Sequence, residues 1–159
     1  TLSKKLVENG YNIVNGYGLG VGTYVINGVA EYAYSNRNIK VGDHLTLMPF
    51  PLSATSDKEL SETWEEYRKE MIEKCGIAVF LFGNKFKEGQ VVSADGVEEE
   101  YEIAKKNGAD LIPLGFTGWK AKELCSKDGI IKTDIQFENA EKTAMQVIAL
   151  IEEINKEEF

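Results

Sequence analysis

The stretch YNIVNGYGLGVGT, residues 11–23, decides the fold class of this 159-residue chain. The short apolar run Tyr11–Val14 is typical of a strand, and glycines then recur at every second position from Gly16 to Gly22. Residues 23–34 follow with apolar side chains at helical spacing. A strand, a glycine-rich loop and a helix in this order are typical of an α/β protein.

Strands and helices are predicted to alternate along the rest of the chain. The run Ile77–Phe82 is continuously apolar between two glycines, which indicates a strand covered on both faces, as in a parallel sheet. Residues 86–96 are predicted to form a polar loop, and Ser56 or Asp57 to cap a helix that reaches Lys74. The further strands are expected at residues 45–48 and 111–114, and the other helices at residues 1–9, 97–106, 119–125 and 138–156. We therefore expect a doubly wound, mostly parallel α/β sheet of Rossmann-like type, in a single domain over residues 1–159.

Charge and composition exclude several classes of function. The net charge of −8 argues against non-specific binding of nucleic acid. No apolar run has the roughly 18–20 residues that a membrane span requires, and no signal peptide is visible, so a cytoplasmic protein is expected. Cys75 and Cys125 lack metal-ligand spacing and are interpreted as free thiols rather than a disulfide or redox pair. With His44 as the single histidine, neither a zinc site nor a Ser-His-Asp triad is predicted.

The glycine-rich loop is the first candidate binding site. Glycines let backbone N–H groups approach a phosphate, and the following helix adds the positive end of its dipole. The spacing matches neither the Rossmann G-x-G-x-x-G fingerprint nor a Walker loop. The alternative is a tight strand-to-helix turn that requires positive φ values. The predicted ligand-binding residues of this loop are Gly16, Gly18, Leu19, Gly20, Val21 and Gly22.

Three charged residues elsewhere are candidates for the same ligand. Lys85 follows the 77–82 strand, where a cation can reach a phosphate, or it is a solvated loop lysine. Glu100 lies in the first turn predicted for the 97–106 helix, where it accepts hydrogen bonds from ribose hydroxyls or is a solvated helix cap. Arg68 borders the apolar face of its helix and either binds ligand or forms a surface ion pair with Glu65.

The sequence resembles a known family in both motifs and order. The stretch LVENGYNIVNGYGLGVG (6–22), the helix with Trp64 and Arg68, IAVFLFGNK (77–85) and GVEEEYEIA (96–104) resemble the SLOG domain that forms the C-terminal sensor of Thoeris antiphage effectors. The resemblance covers nearly the whole chain. It implies a SLOG or Lonely Guy-like fold.

The resemblance also implies a function. In that family a sirtuin-like NAD hydrolase domain precedes the sensor, and this chain, which opens without Met inside a predicted helix, is expected to be a piece of such a polypeptide. A partner TIR-domain protein makes a cyclic ADP-ribose isomer, which the sensor binds to activate the hydrolase. Family pockets use an arginine, a lysine and a glutamate in chain order, and Arg68, Lys85 and Glu100 match those positions. A homo-oligomer is expected, with no catalytic residue, cofactor or metal in this domain.

Two other functions remain open from the sequence. Lonely Guy phosphoribohydrolases carry Pro-Gly-Gly-x-Gly-Thr-x-x-Glu, whereas residues 93–100 here read SADGVEEE. The glutamate is retained, but the Pro-Gly-Gly turn and the threonine are not, which argues against nucleotide hydrolysis. The second alternative is a domain that only oligomerises its host.

Overall fold

A computed structural model describes residues 1–18, 20–53 and 58–157 of the chain. These residues divide into two compact units, and each is described by itself. Unit 1 contains residues 1–52 and the segment 136–159, and unit 2 contains residues 53–135.

The elements of both units follow one another as helices and short strands. In chain order they are α1 (Leu2–Glu8), β1 (Ile13–Asn15), α2 (Val21–Ser35), α3 (Val41–His44), β2 (Leu45–Leu47), α4 (Leu60–Ile72), β3 (Ile77–Phe80), β4 (Asn84–Lys87), β5 (Gln90–Ser93), α5 (Asp95–Lys106), β6 (Asp110–Pro113), a 3-10 turn (Gly115–Thr117), α6 (Trp119–Leu124) and α7 (Ala140–Glu157). The predicted cap of α4 at Ser56 or Asp57 lies outside the described residues.

Unit 1 is built on the parallel pair β1 and β2, in which Ile13 lies opposite Leu45. Leu45 packs with Val7 of α1 and Val29 of α2 in a core that also takes in half-buried residues of α2 and α3. Gly28 lets α1 approach α2 closely, because a Cβ at this position would collide with the Ser3 hydroxyl.

Helix α7 completes unit 1 by packing on α1. Its buried residues recur at helical spacing: Ala144, Val147, Ile148, Ile151 and Ile154. The ion pair between Lys5 and Glu141 (2.8 Å) and the hydrogen bond from Asn155 to the Tyr11 hydroxyl (3.3 Å) join α7 to the first eleven residues.

Unit 2 is built on the parallel pair β3 and β6, in register from Ile77 opposite Asp110. Helix α5 lies in the connection between these strands and packs against both of them. Tyr101 of α5 is 1% exposed and contacts Phe80 edge to face, with ring centroids 6.2 Å apart. Its hydroxyl donates a hydrogen bond to the Asp128 carbonyl (2.5 Å). The parallel strands and intervening helices confirm the predicted α/β fold class.

The segment predicted as a polar loop at 86–96 is instead largely a β-hairpin followed by the start of α5. Strands β4 and β5 pair antiparallel around Glu88 and Gly89, which have φ of 51° and 80°. Positive φ at both central residues is typical of the tightest hairpin turns. The prediction was wrong here because the hairpin strands are mostly exposed and lack the alternation of a half-buried strand.

Two further boundaries differ from the prediction. Strand β3 ends at Phe80, and Phe82 is 44% exposed, so the apolar run 77–82 is not covered throughout. Helix α5 begins at Asp95, which moves Glu100 from the predicted first turn into the second. No helix in the part of the chain described is long and apolar enough to cross a membrane.

Candidate functional site

The glycine-rich loop connects the carboxyl end of β1 to α2 in unit 1. Its backbone turns through Tyr17 and Gly20, with φ of 54° and 91°. The Asn15 side-chain oxygen accepts a hydrogen bond from the Tyr17 N–H (2.8 Å), and the Gly22 N–H donates to the Gly18 carbonyl (3.0 Å). A Cβ on Gly22 would lie 2.8 Å from Cδ2 and 2.9 Å from Cα of Tyr17, so the turn requires glycine there.

The same loop presents its backbone to solvent. Among the described residues, no side chain caps the N terminus of α2, where the N–H groups of the first turn carry the positive end of the helix dipole. Such N–H groups can bind an anion. The predicted loop residues differ in exposure: Gly18 and Gly20 are exposed, Gly16 and Val21 are half-buried, Gly22 is buried, and Leu19 lies outside the described residues.

Arg68 of α4, in unit 2, points its guanidinium at the start of α5. Its Nη1 lies 2.6 Å from Glu99 Oε2, its Nε lies 3.8 Å from Glu100 Oε1, and its side chain is 12% exposed. A Cβ on Gly96 would lie 2.5 Å from Arg68 Nη2, so glycine leaves the space that the guanidinium fills. Glu65, the partner proposed for Arg68 in the alternative, forms an ion pair with Lys69 (2.6 Å), and the charge of Arg68 makes a smaller contribution to lowering the pKa of Glu65.

Glu100 is a half-buried carboxyl beside this guanidinium. Burial raises its pKa from the ordinary 4.5 to about 7, the positive charge of Arg68 opposes the rise, and the nearby Glu99 adds to it. Near neutral pH the group therefore exists in both protonation states. It can accept a hydrogen bond as a carboxylate or donate one as a carboxylic acid.

Lys85 lies on β4 rather than in a loop. Its Nζ is 2.5 Å from Asp95 Oδ2, at the first residue of α5, and hydrogen bonding to Lys85 lowers the pKa of Asp95. The side chains of Lys85 and Asp95 are 40% and 78% exposed, so solvent screens the pair and it adds little to stability.

The structure thus brings the three charged candidates to the first two turns of α5. Arg68 and Glu100 are in direct electrostatic contact, and Lys85 reaches the helix at Asp95. The glycine-rich loop belongs to unit 1 and these residues to unit 2, and each group is described within its own unit.

Lys120 of α6 is a further charged residue that contacts the first turn of α5, and the sequence did not indicate it. Its side chain is 12% exposed and lies between Glu123 (2.5 Å) and Glu98 (3.0 Å). The hydrogen bond to Glu123 raises the pKa of Lys120, and Glu98 adds to this effect. In the sequence, only the position of Lys120 just after the glycine-bearing loop 115–118 points to it. Its contacts with the two acidic residues depend on the packing of the folded protein.

No group of three or more His, Cys, Asp or Glu side chains within the described ranges is placed to hold a metal ion. What the site offers instead is a guanidinium, an ammonium and a carboxyl that titrates near neutral pH. These groups are suited to phosphate and hydroxyl groups of a nucleotide.

Comparison with known proteins identifies the class to which this fold belongs. Residues 1–158 match the Sir2- and TIR-associating SLOG family, and the chain belongs to that family.

Its relatives are proteins named NAD(+) hydrolase ThsA. The relative from Cytobacillus dafuensis is 48% identical over 124 residues, which cover 78% of this chain and 25% of the relative. The one from Bacillus cereus (strain MSX-D12) is 45% identical over 126 residues, covering 79% and 26%. That from Acinetobacter baumannii (strain 532279) is 38% identical over 129 residues, covering 77% and 27%. The chain thus spans about a quarter of the length of these curated relatives.

Proposed function

We propose that this chain is the sensor domain of a cytoplasmic NAD hydrolase in antiphage defence of the Thoeris type. It binds a cyclic ADP-ribose isomer made by a TIR-domain protein, and binding activates the attached hydrolase. The domain itself is not catalytic and requires no cofactor. Its ligand residues are those of the glycine-rich loop together with Arg68, Lys85 and Glu100.

The observation that carries this proposal is the cluster at the start of α5. Arg68 is largely buried yet presents a planar fork of donors suited to phosphate oxygens. Glu100 beside it can accept or donate hydrogen bonds to ribose hydroxyls, since its pKa is raised to about 7. Lys85 adds a second positive charge on a protein with a net charge of −8.

The comparisons support the same proposal at a coarser level. The family description associates the SLOG domain with Sir2 and TIR proteins, and the relatives are named NAD(+) hydrolases. A domain that accompanies an NAD-cleaving enzyme and a TIR protein is suited to sensing a product of NAD chemistry.

Titration calorimetry tests the proposal directly. Cyclic ADP-ribose isomers are titrated into this chain, with linear ADP-ribose and NAD as controls, and at least one cyclic isomer is expected to bind more tightly than either control. Addition of that isomer to the full-length protein is then expected to raise NAD hydrolysis. Absence of heat with every isomer would favour a domain that only oligomerises its host.

A nucleotide phosphoribohydrolase of the Lonely Guy type is the second candidate, and one observation favours it. A carboxyl with a pKa of about 7, as in Glu100, is suited to general acid–base catalysis. Incubation with AMP and chromatography for free adenine separates the two functions. Release of adenine that is lost in Glu100→Gln would overturn the sensor proposal, and intact AMP would support it.

A further inference from the structure

Two aromatic residues beyond the carboxyl ends of β3 and β6 have an unusual backbone conformation. Phe82 has φ of 54° and Trp119 has φ of 53°, both in the left-handed region. Bulky side chains rarely adopt this region, which suits glycine and asparagine. Such residues persist only where the surrounding structure holds them, and they concentrate at ligand sites.

Hydrogen bonds hold Phe82 from both sides. Its N–H donates to Thr117 Oγ1 (2.8 Å), and its carbonyl accepts from the Ala121 N–H (2.9 Å). The Thr117 hydroxyl in turn donates to the Leu114 carbonyl (2.7 Å) just past β6. Phe82 is therefore hydrogen-bonded to Thr117 and Ala121, which lie two positions before and two positions after Trp119, so the two aromatic residues belong to one locally fixed edge of unit 2.

Neither aromatic side chain is buried in spite of this fixation. Phe82 keeps 44% and Trp119 keeps 43% of its surface exposed. The packing of unit 2 alone does not account for a large apolar side chain at a position that is both strained and half open to water. A planar ligand that covers these surfaces does account for it.

This edge adjoins the charged cluster at α5. A Cβ on Gly83, the residue after Phe82, would lie 3.3 Å from Val97 Cγ2 in the first turn of α5. Val97 follows Gly96, against which the Arg68 guanidinium lies. The aromatic edge and the groups suited to phosphate and ribose are therefore neighbours within unit 2.

We infer that Phe82 and Trp119 form the stacking surface for the purine base of the nucleotide ligand. This inference rests on the proposed sensor function and deepens it by assigning the residues that recognise the base. Aromatic faces bind any base by stacking, and the charged cluster beside them binds the sugar and phosphate groups.

Asparagine substitutions test this assignment, because asparagine tolerates the left-handed conformation while removing the ring. With the cyclic isomer that binds the wild type best, Phe82→Asn and Trp119→Asn are each expected to weaken binding roughly 5- to 150-fold in calorimetry. Their melting temperatures are expected to stay within roughly 5 °C of the wild type. Phe86→Asn is the matched control, since this 75%-exposed aromatic on β4 is expected to leave affinity unchanged.

Tryptophan fluorescence gives a second readout. In the variant Trp64→Phe, Trp119 is the remaining tryptophan, and the ligand is expected to quench its emission. Trp119→Phe is expected to retain binding while losing that quenching.

The outcomes separate the two proposals. Wild-type binding with unchanged affinity in both asparagine variants overturns the stacking assignment and leaves the sensor function standing. A wild type that binds no cyclic isomer overturns the sensor function, and the stacking assignment with it.

Discussion

At the scale of single residues, Arg68 links ligand recognition to the charge balance of α5. Its guanidinium is largely buried and shared between Glu99 and Glu100, so a bound phosphate has to compete with these carboxylates.

Arg68→Ala is expected to weaken binding of the cyclic ADP-ribose signal by roughly 10- to 150-fold, because a charge-assisted hydrogen bond is lost. Lys69→Ala is the matched control, since Lys69 is the next residue of α4 and pairs with the exposed Glu65. Calorimetry at constant salt concentration measures both. Equal affinities in the two variants would remove Arg68 from the site.

Lys85→Ala is likewise expected to reduce affinity, with little change in melting temperature because its partner Asp95 is exposed. Lys87→Ala, two residues further along β4, serves as the control for general loss of positive charge. The two variants are compared at low and high salt. If both lower affinity equally, Lys85 acts only through the overall field.

The raised pKa of Glu100 predicts a pH dependence of stability. The folded state binds the Glu100 proton more tightly than the unfolded state does, so this contribution is fully present below about pH 4.5 and is lost as pH rises through about 7. Wild-type stability is expected to fall between pH 5 and pH 8. Glu100→Gln is expected to flatten this fall and to stabilise the protein at pH 8 by roughly 1–3 kcal/mol.

Urea denaturation at pH 5, 6, 7 and 8 measures this effect. The same variant is expected to bind the signal more weakly at pH 8, where the wild-type carboxylate accepts hydrogen bonds. A wild type and variant with parallel pH profiles would show that Glu100 titrates at its ordinary pKa.

At the scale of elements, substitutions at two glycines of the β1–α2 loop distinguish a role of the loop as a structural turn from a role in binding an anion. Gly22 has no room for a Cβ, whereas Gly18 has open space and does not require positive φ. Gly22→Ala is expected to destabilise unit 1 by roughly 1–3 kcal/mol. Gly18→Ala is expected to leave stability unchanged or raise it by roughly 0.4–1 kcal/mol while weakening ligand binding.

Thermal unfolding and calorimetry on both variants test this pair of expectations. The added methyl of Gly18→Ala stands on the exposed backbone that a phosphate has to approach. Undiminished affinity in this variant would leave the loop as a turn without a role in binding.

The elements themselves show which parts of the fold a sequence can predict. Helix α7 was predicted well because its buried residues recur at helical spacing, and strand β6 because it is a short, continuously apolar run. The β4–β5 hairpin was missed because its strands are mostly exposed. The short helix α3, a single turn at Val41–His44, has no periodicity to detect.

The candidate site was predictable to a similar degree. The resemblance pointed to Arg68, Lys85 and Glu100, and the structure brings all three to α5. The ion pair between Arg68 and Glu99 joins residues 31 positions apart, so helical spacing, which pointed to Glu65, could not predict it. The exposed aromatic edge was missed because positive φ at Phe82 and Trp119 is set by tertiary hydrogen bonds.

At the scale of the whole molecule, exposed tyrosines predict self-association. Tyr24 and Tyr34 of α2 are 76% and 88% exposed, and with Asn27 and Glu31 they lie along one side of the helix. A symmetric dimer is expected to bury this surface. Sedimentation of Tyr24→Glu and Tyr34→Glu is expected to show a shift toward monomer, with Phe86→Ser as control. Wild-type protein that sediments as a monomer at high concentration would contradict this expectation.

Unit 1 is made of two segments of sequence, one before and one after unit 2, and α1 of the first segment packs on α7 of the second. During synthesis on the ribosome, α1 therefore lacks its partner α7 until the end of this segment has been made, whereas all of unit 2 is made before α7. Long-range closure of this kind is slow and leaves apolar surface open in the nascent chain. A chain released before residue 140 has been added would therefore contain all of unit 2 but would lack α7 of unit 1.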